Sequence, residues 1–279
     1  MESLTLQAGG LTFDAVADGP GHGRTVLLLH GFPQTSLEWN GVMPALAEAG
    51  YRTVAPDQRG YSRGARPESV EAYSMASLVG DVVGFADALG AERIDLVGHD
   101  WGSAVAFQTA ARHPERVRSL TGVSVPHPLA MSQAMANDPE QRSRSGYIQV
   151  FREDGGVAER ALTADDWKNL RAIYQGKVTD EVIEHYVETL SAEGALTAAL
   201  NWYRAIGSAD LEGLEPVSVP TLFVWSTGDA AIGRTAAEAN ADFVTGPYRF
   251  VEFEGVTHWV PDEEPGRLSS EILDHLSST

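Results

Sequence analysis

The chain of 279 residues contains no cysteine. Disulfide bridges, thiolate nucleophiles and cysteine-ligated metal sites are thereby excluded. Lysine is almost missing, with Lys168 and Lys177 alone, and 20 basic residues face 39 acidic ones. The formal net charge of −19 repels phosphate backbones and anionic headgroups. Neither nucleic acid nor a membrane surface is therefore expected as a partner. No apolar run approaches the roughly 20 residues that span a bilayer. The segment Met1-Glu2-Ser3-Leu4 lacks the basic and apolar regions of a secretory signal, so a cytoplasmic location is expected. No repeat or low-complexity tract occurs. No cluster at metal-ligand spacing is visible, and neither a metal nor an organic cofactor is expected. No Gly-x-Ser-x-Gly stands between a strand and a helix, which argues against a serine esterase.

What is present is a 43% apolar chain, long enough for one large α/β domain with an inserted segment. Residues 4–17 alternate around Gly9-Gly10 and predict a hairpin. Strands are predicted at 25–29, 52–55, 94–97 and 117–125, with helices at 36–49, 74–89 and 101–112 between them. This alternation is the mark of a mostly parallel sheet with helices on both faces. It stops after Pro126-His127-Pro128. Residues 129–213 read as helices only, including a start signal at Asp165-Asp166-Trp167 and amphipathic runs at 179–191 and 193–206. Strands return at 219–225 and 248–253, with helices near 234–241 and 263–277. The parse is an α/β core, 1–128 and 214–279, interrupted by a helical cap, 129–213. An insertion at the carboxyl edge of a parallel sheet lies over the ligand-binding region and can act as a lid.

The chemistry centres on Leu96-Val97-Gly98-His99-Asp100-Trp101-Gly102-Ser103. A Gly-x-nucleophile-x-Gly frame between an apolar strand and a small-residue helix is a nucleophile elbow. Here the nucleophile position holds Asp100. A carboxylate can displace a leaving group at saturated carbon and form an ester with its own side chain. The acid and histidine should follow in that order along the chain. Asp229 in Ser226-Thr227-Gly228-Asp229 and His258 in Gly255-Val256-Thr257-His258-Trp259 do so, each on a loop after a strand. The segment Ser124-Val125-Pro126-His127 holds no carboxylate, which favours Asp229 as the acid. In His30-Gly31-Phe32-Pro33, the Phe32 N–H is expected to form an oxyanion hole with the Trp101 N–H. His30 is expected to be structural, bonding the loop backbone.

These segments, together with Asp57-Gln58-Arg59-Gly60-Tyr61-Ser62, resemble the α/β-hydrolase superfamily over nearly the whole chain. Within it they resemble the epoxide hydrolases of single-domain soluble type. The resemblance implies a mostly parallel eight-stranded sheet with an inserted helical cap. Two cap segments are similar to those holding the family's lid tyrosines: Tyr147-Ile148-Gln149-Val150-Phe151-Arg152 and Asn201-Trp202-Tyr203-Arg204. The resemblance implies that Tyr147 and Tyr203 point at the epoxide oxygen. Their structural alternative is packing at a helix interface. The implied partners are a small apolar epoxide and water, and a homo-oligomer is allowed.

Two other readings stay open. A haloalkane or haloacetate dehalogenase would use the same aspartate. The first usually has Asn or another donor where Phe32 stands, and the second carries arginines where Trp101 and Ser103 stand. A non-catalytic ligand-binding relative is the third reading, although such proteins often lose a member of the catalytic set.

Overall fold

The computed structural model describes every residue except Ile206. Strands β1 (Glu2–Ala8) and β2 (Leu11–Asp18) pair as the expected hairpin. Gly9 and Gly10 turn it at φ +56° and +79°, values that a two-residue turn following the strand twist requires. Then β3 (Thr25–Leu29), α1 (Met43–Glu48), β4 (Arg52–Pro56), α2 (Met75–Ala88), β5 (Ile94–His99), α3 (Trp101–Arg112) and β6 (Val117–Val123) alternate. Helices follow without a strand: α4 (Pro128–Asn137), α5 (Pro139–Arg144), α6 (Tyr147–Arg152), α7 (Val157–Ala172), α8 (Asp180–Ser191) and α9 (Ala195–Ala205). The chain returns to the sheet with β7 (Thr221–Ser226), α10 (Arg234–Ala239), β8 (Tyr248–Phe253), α11 (Val260–Glu263) and α12 (Pro265–Ser277).

The eight strands lie in the order β1-β2-β4-β3-β5-β6-β7-β8. Strand β2 runs antiparallel to β1 and β4, and every other pairing is parallel. The period of two in a strand sorts β3 between two cores. Leu27 and Leu29 pack with Leu78, Val82 and Val105, whereas Val26 and Leu28 pack with Leu46, Leu268 and Ile272. Helices therefore cover both faces, α2 and α3 on one, α1 and α12 on the other. Each such leucine contributes about 1.5–3 kcal/mol of burial.

Two expected elements differ in detail, each for a local reason. The helix read over 36–49 is a 3-10 segment, Ser36–Gly41, followed by α1. Pro44 has no N–H to carry the hydrogen-bond ladder across. The final helix read over 263–277 is α12, opened by Pro265 in its first turn and preceded by the short α11. Asp165-Asp166-Trp167, read as a helix start, lies in left-handed backbone at a kink in α7, with φ of 49°, 58° and 62°, and a second helical stretch follows it. Aspartate tolerates this left-handed region better than most residues. Among the described residues, no helix is long and apolar enough to cross a membrane.

Candidate active site

Strand β5 delivers Asp100 to the N-terminus of α3 at φ 52°, ψ −119°. A non-glycine residue at positive φ is strained and persists only where its surroundings over-determine it. They do so by close approach. A Cβ on Gly98 would lie 2.2 Å from the Gly102 carbonyl oxygen, and one on Gly102 would lie 2.1 Å from that of Leu29. A Cβ on Gly31 would lie 2.3 Å from the Cβ of Asp100. The glycines of the motif are thus the positions where backbone or the Asp100 side chain must pass within contact distance.

The Phe32 N–H donates to Asp100 Oδ1 at 2.9 Å. The Trp101 N–H stands in the first turn of α3, where N–H groups have no intrahelical acceptor. The helix N-terminus also favours a negative charge at Asp100. His258 presents Nε2 to Asp100 Oδ2 at 3.5 Å, and its Nδ1–H donates to Asp229 Oδ2 at 2.8 Å. The other Asp229 oxygen accepts the Ala231 and Ile232 N–H groups at 2.8 and 2.9 Å. All three side chains are buried.

Their charges are coupled. Burial opposes the protonated form of His258, but Asp229 and Asp100 outweigh it and hold its pKa at about 10. Burial likewise works against ionised Asp100. The hydrogen bond and charge of His258, with the Phe32 amide, nonetheless hold it below the usual carboxylate value. Asp100 is therefore an anion at neutral pH beside an imidazolium.

Tyr203 is buried with its ring against Trp101 (5.0 Å), Phe32 (5.5 Å), Phe151 (5.0 Å) and Tyr147 (6.3 Å). Tyr147 is 38% exposed, with its ring on Phe151 at 5.3 Å. Burial first, and then the charges of Asp100 and Asp229, raise the Tyr147 phenol pKa. Burial, Tyr147 and Asp100 raise that of Tyr203. Two cavities of about 390 and 310 Å³ both touch Asp100, Tyr147 and Tyr203. The larger is lined largely by apolar groups, including Met75, Met131, Met135 and Leu211, with Gln108, Arg152 and Asp210 among its polar ones. The smaller is walled by Phe32, Phe151, Ile173 and Trp259, with His258 at its edge.

All seven residues singled out in the sequence, Asp100, Asp229, His258, Tyr147, Tyr203, Phe32 and Trp101, thus lie around one site. His30 holds the Phe32 loop from behind. Its Nε2 accepts the Gln58 N–H at 3.0 Å, so its Nδ1 carries the proton donated to the Gly31 carbonyl at 2.9 Å. Sequence reasoning missed a second supporting pair. The His99 Nε2–H donates to the His258 carbonyl at 2.9 Å, and its Nδ1 lies 3.2 Å from Glu38 Oε2. Burial, then Asp100, raises the Glu38 pKa, and burial, then His258, lowers that of His99 to about 4. Both shifts disfavour a buried charge at this pair. His99 lies inside the elbow motif and could have been flagged there. Glu38 carries no local signal. The serine in Gly60-Tyr61-Ser62-Arg63-Gly64 is structural, its hydroxyl bonding the Asp57 carbonyl and the Asp14 N–H.

Residues 24–145 match a family model described as alpha/beta hydrolase fold. Epoxide hydrolase A of Mycobacterium tuberculosis is 33% identical, covering 98% of this chain and 96% of its own. Epoxide hydrolase 3 of Xenopus tropicalis is 30% identical over 98% of this chain and 77% of its own. The crystal structure of Epoxide Hydrolase A from Mycobacterium thermoresistibile superposes with a TM-score of 0.87 at 29% identity, covering 99% of this chain and 98% of that one. A third of the residues shared along almost the full length of both chains leads to one assignment: the chain belongs to the epoxide hydrolase family of the α/β-hydrolase fold.

Proposed function

We propose that this enzyme opens an epoxide to a vicinal diol through an ester on Asp100, with residues 129–213 acting as the cap. One observation carries the reading: a carboxylate and two phenols border the same two cavities. A nucleophile for the epoxide carbon and proton donors for its oxygen thus face one space.

Asp100 Oδ2 attacks an epoxide carbon and breaks its bond to oxygen. Oδ1 becomes the ester carbonyl, already in the grasp of the Phe32 N–H. The departing alkoxide takes a proton from Tyr147 or Tyr203, leaving a phenolate. Esterification also removes the negative charge of Asp100. That charge raises the pKa values of Tyr147, Tyr203 and His258 alike. Its loss makes the phenols better acids as the alkoxide forms and releases the proton from His258. That proton balances the one lost by the phenol.

Neutral His258, oriented by Asp229, then takes a proton from water. The hydroxide adds to the ester carbon, and the Phe32 and Trp101 amides hold the oxyanion. Collapse expels the second alkoxide, which takes the proton from His258 and leaves as the diol. The proton left on the Asp100 carboxyl then passes to His258, which restores the carboxylate beside the imidazolium. No cofactor is required for any of these steps.

The two cavities that share Asp100 fit an apolar epoxide substituted on both carbons, one arm aliphatic and the other aryl. A single turnover of trans-β-methylstyrene oxide in ¹⁸O-water, with excess enzyme, tests the ester. The first diol should take its new oxygen from Asp100 and carry no label. Solvent label in that first product rules the ester out. A halide-release assay run beside it separates epoxide opening from dehalogenation. Phe32 and Ser103 favour the former, since the Phe32 ring packs on Tyr203 and the Ser103 hydroxyl donates to the Val125 carbonyl.

The phenols supply a separate test. Tyr147→Phe with Tyr203→Phe removes both proton donors at almost unchanged volume. Ester formation should fall by about 10²–10⁴-fold, the usual range for general acid catalysis, with the melting temperature little changed. Wild-type rates in the double variant would make the tyrosines packing residues only.

A further inference from the structure

Gln141 is a fully buried amide with no part in the chemistry above. From α5 its Nε2 donates to the Ala231 carbonyl at 2.8 Å and to Ser145 Oγ at 3.0 Å, and its Oε1 accepts the Gly233 N–H at 2.7 Å. One side chain thereby clamps two backbone groups of the loop that follows Asp229. On the same helix, Arg144 Nη1 donates to the Asp229 carbonyl at 2.5 Å. The loop between these points supplies the Ala231 and Ile232 N–H groups that hold the Asp229 carboxylate. From the core side, Trp225 Nε1 donates to the Ile232 carbonyl at 3.1 Å. The loop that aims Asp229 at His258 is thus fixed from both sides, by the core and by the helical segment.

An apolar side chain would fill this volume at lower desolvation cost, because a buried amide is stable only when its hydrogen bonds are met. Packing is therefore not what the amide supplies. Its bonds tie the corner between α5 and α6, which carries Tyr147, to the loop that carries Asp229.

We propose that Gln141 is a positioning residue for ester hydrolysis, coupling the tyrosine-bearing corner to the catalytic acid. The proposal rests on the Asp100-ester reading. Gln141→Met keeps the volume and removes the clamp. With saturating trans-β-methylstyrene oxide, single-turnover alkylation should stay within about threefold of wild type, while ester hydrolysis slows by about tenfold or more, as small misplacements of catalytic groups do. The acid limb of hydrolysis should also move to lower pH. A less well aimed Asp229 raises the His258 pKa less, and a merely structural role would not move that limb. Arg144→Met, at a partly exposed position, should lower the ratio of hydrolysis to alkylation in the same direction. It decides the question if Gln141→Met does not fold. A wild-type ratio and an unmoved limb in the folded variants overturn the proposal. Absence of any ester in the wild-type enzyme would instead overturn the reading beneath it.

Discussion

Asp100→Ala should abolish diol formation, with turnover falling by about 10⁴-fold or more, as when a nucleophile acting within a catalytic set is removed. The substitution leaves both cavities, the phenols and His258 in place but provides no atom to accept the epoxide carbon. Water cannot readily substitute, because His258 is held by Asp229 for attack at the ester carbon. Diol formation measured by chromatography over hours checks this. A rate within a factor of ten of wild type would show that water attacks the epoxide directly. His258 should respond as well. Asp100 is one of the two carboxylates that hold its pKa at about 10, so its imidazole should titrate at lower pH in the variant, which NMR of the ring protons can follow.

His258→Gln should separate the two halves of the reaction. Ester formation needs Asp100 and the phenols, so it should proceed. Ester hydrolysis needs a base and should slow by about 10²–10⁴-fold. The protein should then gain the mass of one epoxide, visible in the intact-mass spectrum. Normal steady-state turnover in this variant would remove His258 from its assigned role. The pH dependence follows from the same charges. In the free enzyme Asp229 and Asp100 outweigh burial and raise the His258 pKa. In the ester only Asp229 opposes burial, so the pKa falls. Hydrolysis requires the neutral ring, and its rate should rise with pH through that lowered value. Single-turnover rates should therefore level off well below pH 10. An acid limb that stays near pH 10 would show that esterification does not relieve the imidazolium.

The sequence was most legible where local rules and the fold agree. Gly98 and Gly102 frame Asp100 because strand and helix backbones touch there, a contact that needs residues without side chains. The strand at 25–29 and the hairpin turned at Gly9-Gly10 follow from apolar patterning and dihedral preference alone. Asp229 and His258 were legible through their order and their place after strands. Where two local signals competed, the reading slipped. Pro44 cuts a helix that apolar spacing ran together, and the acidic pair at 165–166 sits in left-handed backbone at a kink between two helical stretches.

Long-range partners had no such signal. Nothing near Glu38 announces that it meets His99, 61 positions away, at 3.2 Å. Nothing near Gln141 announces Gly233 at 2.7 Å. Both pairings depend on how helices pack against loops from distant parts of the chain. The sequence by itself determined the elbow frame, the carboxylate held in it and the order of Asp229 and His258 along the chain, because these are short-range patterns of residue type and spacing. The tertiary structure alone decided the two cavities, the charge coupling among Asp100, His258 and the phenols, and the clamp on the Asp229 loop. Volume, burial and charge separation are properties of groups brought together in space, and no local stretch of chain encodes them.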